Sequence, residues 1–135
     1  MPRSLFVALP LFAAGCDDTI FGTGGGATTT ATGYAGVLAL TDENCMTCHS
    51  AAAADVVGNG LNLETDFYAA TVNVASTYPG YVLVVPSDTQ SSLLYLKLTA
   101  TNPSGTGTVM PQTGMLPAES IAVYEDWIVA GAPEE

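Results

Sequence analysis

The chain has 135 residues, enough for one domain and too few to expect a second core. Apolar residues make up 48% and charged residues only 11%, so a modest core can form, while 14 glycines and 8 prolines call for much loop. Thirteen Asp and Glu against Arg3 and Lys97 give a formal net charge of -11, which leaves no electrostatic footprint for phosphate backbones and excludes nucleic acid as a partner.

Residues 1–15 read as a secretory signal: a basic start at Arg3, the apolar run "LFVALPLFAAG", and small residues before Cys16. The run is shorter than the ~20 apolar residues that a bilayer span needs. "AAGC" resembles the lipobox of bacterial lipoproteins, in which the cysteine is lipidated and becomes the first residue; Ala13 stands where that motif most often has Leu. The resemblance implies an exported protein held to a bacterial membrane by lipid at Cys16, on the periplasmic or cell-surface side. An ordinary secreted protein is the alternative. Residues 16–33, "CDDTIFGTGGGATTTATG", lack apolar periodicity and read as a flexible Gly/Thr-rich tether, with the folded domain over residues 34–135.

Within the domain, Thr41 is placed to cap a short helix, "DENCMTCH", with Asp42 and Glu43 in its first turn. "ETDFYAATVNVAS" carries both periods: Phe67, Ala70 and Val74 fit a helix face, whereas Ala70, Val72 and Val74 alternate as a strand does. "YVLVV", residues 81–85, reads as a strand or a buried extended connector between Gly80 and Pro86. Ser87 is the expected N-cap of a helix carrying Leu93, Leu94, Leu96 and Leu98. The last helix is expected after Pro117, with Ile121, Tyr124 and Ile128 on one face and Trp127 beside them, ending at Gly131. The expected class is all-α with long loops.

Cys45-Met46-Thr47-Cys48-His49 has the spacing of a c-type haem attachment site. Two thiols near a helix end can add to the two vinyl groups on one haem edge, and the adjacent imidazole reaches the iron. Zinc and thiol–disulfide exchange are the rivals. A structural zinc needs a full tetrahedral ligand set, and the domain offers only Cys45, Cys48 and His49. A thioredoxin-like pair needs alternating strands and helices around it. Methionine can fill the other side of a haem iron. Met46 lies inside the attachment loop; Met110 and Met115 lie in "GTGTVMPQTGMLP", a loop able to fold across a haem. Pro111 disfavours helix at Met110, which makes Met110 the first choice and Met115 the second, core filling being the alternative role for both.

Over about residues 40–133 the chain resembles a small mono-haem cytochrome c domain of exported bacterial proteins. The stretches that carry the resemblance are "CMTCH", "GLNLET", "VPSDTQSSLLYLKL" and "MPQTGMLPAESIAVYEDWIVAGAP", in the family's order. Ser87 replaces the family's usual glycine. The resemblance implies a cytochrome c-like all-α fold wrapped around one covalent haem c, axial ligands His49 and Met110, and first and last helices packed together with Trp127 in the contact. It implies one-electron transfer between a redox donor and acceptor rather than an enzyme, as a monomer or as a subunit of a larger dehydrogenase or oxidase. An open distal site would turn the same haem towards gas binding or peroxide chemistry. With so few cations, docking is expected to use apolar contacts or a basic partner.

Overall fold

A computed structural model describes residues 31–135; the expected signal segment 1–15, the expected lipidation site Cys16 and most of the expected tether 16–33 lie outside the described residues. Among the described residues four helices follow in chain order: α1 (Gly33–His49), α2 (Phe67–Thr71), α3 (Leu93–Leu98) and α4 (Ala118–Val129). Extended segments meet only in isolated bridges, so the expectation of an all-α domain with long loops holds at that level.

α1 is longer than expected. It starts at Gly33 and runs for 17 residues, which puts Thr41 in its middle rather than at a cap, and Asp42 and Glu43 beyond the first turn. Packing overrides the local capping preference here: the Thr41 side chain is buried and bonded to α4. Gly36 makes the crossing possible, since a Cβ there would sit 2.9 Å from Val123 Cγ1 and would collide with the carbonyl of Ala31. Tyr34 stacks on Trp127 with ring centroids 5.8 Å apart, and Phe67 meets the same indole at 5.9 Å. The expected pairing of first and last helices around Trp127 is therefore present.

Both periods of the 64–76 stretch are used. Asp66 accepts a hydrogen bond from the Ala69 N–H and caps α2, after which the chain extends and Val72 and Ala75 bridge to Val84 and Val82. The "YVLVV" run is thus an extended, half-buried connector, with Val84 fully buried, and it joins no sheet. Ser87 does not cap α3. Its φ is 64°, its N–H donates to the Ile128 carbonyl at the end of α4, and α3 begins only after Ser92. The Ser92 hydroxyl accepts from the Val85 N–H and reaches the Asp88 carbonyl at 2.6 Å, closing the 85–92 turn that delays the helix.

α4 ends as expected at Gly131. With φ at 98°, Gly131 donates to Ile128 and Ala132 donates to Trp127, the paired bonds of a Schellman stop. The Trp127 indole N–H then holds the Pro133 carbonyl at 2.7 Å.

Candidate functional site

Thr41, Cys45 and His49 recur every four residues and so form one stripe of α1. That stripe lines a cavity of about 490 Å³, within the range of small-molecule and cofactor sites. Leu83, Leu93, Leu94 and Leu98 give it apolar walls, and Tyr124 of α4 closes part of it.

His49 is fixed in one tautomer by its partner. Nδ1 lies 2.9 Å from the Leu61 carbonyl, which can only accept, so Nδ1 carries the hydrogen and Nε2 keeps a free lone pair. The Leu63 N–H donates in turn to the His49 carbonyl at 2.8 Å, so the loop after the motif grips this residue twice. Gly58 lies against the Cys48 carbonyl and admits no side chain.

Burial pushes the Cys45 thiol up to about 11, the nearby Cys48 adds to this, and the Tyr124 hydroxyl works the other way. A thiol held protonated at neutral pH is a poor partner for disulfide exchange, whose active cysteines are depressed towards or below 7. Among the described residues no three His, Cys, Asp or Glu side chains gather as a metal-binding group. Cys48 is half-buried and lies off the cavity wall that Cys45 and His49 share.

The three methionines of the domain separate clearly. Met110 lines the cavity, and its N–H donates to the Lys97 carbonyl at 2.7 Å. Met115 is 58% exposed and faces a separate shallow pocket with Thr108 and Pro111. Met46 packs against the hydrophobic core. The structure thus brings Cys45, His49 and Met110 to one cavity and leaves Met115 and Met46 outside it.

Two further residues of this cavity are not legible in the sequence as site residues. Tyr124 reads there as a core position, yet its hydroxyl meets Thr41 Oγ1 at 2.9 Å on the cavity wall. Lys97 enters the sequence reading only through the charge balance, yet it is buried and its Nζ donates to the carbonyls of Thr106 and Thr108. An i+4 hydrophobic spacing flags the first; no sequence signal flags the second.

A haem fits these residues: an apolar cavity, an imidazole with Nε2 free, a thiol on the same helix face, and a thioether brought from a distant loop. Comparison with known protein families, characterised proteins and solved structures gives no match.

Proposed function

We propose that the domain is a c-type cytochrome that passes single electrons, in which Cys45 and Cys48 would hold haem covalently and His49 and Met110 would ligate its iron. The observation that carries this reading is that Cys45, His49 and Met110 border one apolar cavity while His49 Nδ1 is committed to the Leu61 carbonyl. Bound haem supplies an iron that cycles between ferric and ferrous states.

The chain's own part is attachment, orientation and exclusion of water. Cys45 and Cys48 would hold the haem through thioether bonds, each S–H adding across a vinyl group with no leaving group. The Leu61 carbonyl fixes the imidazole plane and raises its donor strength. The leucine walls lower the local dielectric, and a thioether ligand favours the ferrous state relative to a second imidazole. No general acid or base takes part. Residues 31–135 contain no Lys or Arg besides Lys97, which is buried, so an incoming redox partner meets an acidic surface and is expected to be basic. On this reading lipid at Cys16 tethers the domain to a bacterial membrane.

The test is an absorption spectrum in both oxidation states, taken on protein made in a host that attaches c-type haem. Covalently retained haem with sharp reduced bands and a weak long-wavelength ferric band from sulfur-to-iron charge transfer is expected, lost in Met110→Ala and kept in Met115→Ala. Absence of covalent haem overturns the proposal. A high-spin ferric spectrum would instead assign an open distal site and ligand or peroxide chemistry.

A further inference from the structure

We infer that Lys97 is the positioning residue for Met110, an internal cationic clamp that holds the 99–116 loop against the cavity. The ligand role of Met110 rests on the proposed function; the clamp itself rests on independent geometry. Between Leu98 and Leu116 no apolar residue is fully buried, and Thr106 is the one side chain that is. Apolar anchoring of the loop is limited to half-buried residues such as Val109, Met110 and Pro111, which leaves polar contacts to fix the rest of it.

Those contacts converge on one residue. Lys97 Nζ donates to the carbonyls of Thr106 at 2.5 Å and Thr108 at 2.6 Å, and its own carbonyl accepts from the Met110 N–H at 2.7 Å. Three points of the loop, Thr106, Thr108 and Met110, thus hang on a single residue near the end of α3. The Tyr78 ring covers the ammonium at 5.6 Å from its centroid. Lys97 is 9% exposed, and an ammonium so placed is costly unless its donors are satisfied. The only cation in residues 31–135 is spent inside the fold. Gly107 completes the fit: its φ is 81°, and a Cβ would stand 3.2 Å from the Tyr78 hydroxyl and 3.8 Å from Nζ.

A clamp of this kind governs how often the methionine side of the cavity opens. The probe is imidazole, which competes for ferric iron only when Met110 has left. Lys97→Met keeps the length and apolar stem of the side chain and deletes its donors. In the haem-loaded protein it is expected to raise the apparent affinity for imidazole by about tenfold or more, as the open population rises, and to weaken the sulfur-to-iron band. Phe67→Leu serves as the stability control, because Phe67 lies in the core away from the cavity lining. It should lower the melting temperature and leave imidazole affinity unchanged.

An unchanged affinity in Lys97→Met, with the band still lost in Met110→Ala, overturns the clamp and leaves the cytochrome reading standing. An equal rise in Phe67→Leu also overturns it, by showing that general stability controls opening. A band that survives Met110→Ala removes the ligand assignment and the clamp's purpose with it. Should Lys97→Met fail to fold, hydrogen exchange of the Lys97 ammonium in the unmodified haem protein decides: held on the Thr106 and Thr108 carbonyls it should exchange more slowly than a free lysine side chain, and exchange at the free rate would overturn the inference.

Discussion

Thr41 Oγ1 and Tyr124 Oη stand 2.9 Å apart across 83 residues of sequence and tie the middle of α1 to α4 at the cavity wall. Both groups are buried, and the Tyr124 hydroxyl also meets the Cys45 thiol, so Thr41 is the one that depends on this bond: a buried hydroxyl without a partner costs roughly 1–3 kcal/mol. Tyr124→Phe keeps the ring and strands the Thr41 hydroxyl. It is expected to destabilise the domain by about 1–2 kcal/mol, read as a drop of several degrees in thermal denaturation. The double variant Tyr124→Phe, Thr41→Val should recover part of that loss, and failure to recover any would show that the pair is not coupled.

Gly58 controls the other end of α1. A methyl there would collide with the Cys48 carbonyl and stand 2.8 Å from Ala54 Cα, both backbone atoms with little room to retreat. Gly58→Ala should therefore cost about 1–3 kcal/mol through overpacking and displace the turn that carries Cys48 and His49. Haem content per chain and the melting temperature are expected to fall together. If both stay at their original values, the close approach is not limiting.

Ser87 offers a change in the opposite direction. At φ 64° it sits where a side chain is strained and glycine is not. Its N–H to Ile128 carbonyl bond, at 2.8 Å, does not depend on the side chain. Ser87→Gly should stabilise by up to about 1 kcal/mol, since relief of left-handed strain outweighs the added freedom of the unfolded chain. Chemical denaturation would show a higher midpoint at unchanged slope; a lower midpoint would mean that the serine contributes contacts worth more than the strain.

The positions where sequence and structure part have a common cause. The last helix and its Gly131 stop are local signals, and the structure places them as read; the cysteine pair and His49 end a helix as expected, with Cys48 off the wall that Cys45 and His49 share. Thr41 looks like a cap because capping is a local preference, yet its hydroxyl is used by Tyr124, and the "GYAGVLAL" turns of α1 lie close to α4, where Gly36 leaves room for Val123. Ser87 looked like the cap of α3, yet the turn at 85–92 is closed by Ser92, and α3 waits for it. Lys97 is the clearest case. In the sequence it counts only towards the charge balance, and its role depends on the return of the loop through Thr106 and Thr108, more distant along the chain than local patterns reach.

Alkaline pH should expose the tyrosines. Burial raises the phenols of Tyr34, Tyr95 and Tyr124 above their usual value, with Glu125 adding to the effect at Tyr95. Above pH 10, near the unfolded value, the folded chain then holds more protons than the unfolded one, so stability present at neutral pH is lost as pH rises. Lys97 acts in the opposite sense: burial lowers it, the folded chain holds fewer protons, and its penalty fades as pH approaches 10.5. The two effects oppose each other near pH 10, and past the lysine range only the tyrosines remain. The melting temperature of the haem-loaded protein should therefore hold up to about pH 10 and fall steeply above 10.5. Tyr95→Phe, which removes the hydroxyl 3.0 Å from Glu125 Oε2, should make that fall shallower. An unaltered slope would place the alkaline loss on the other two phenols and show that the Tyr95–Glu125 contact titrates alike in both states.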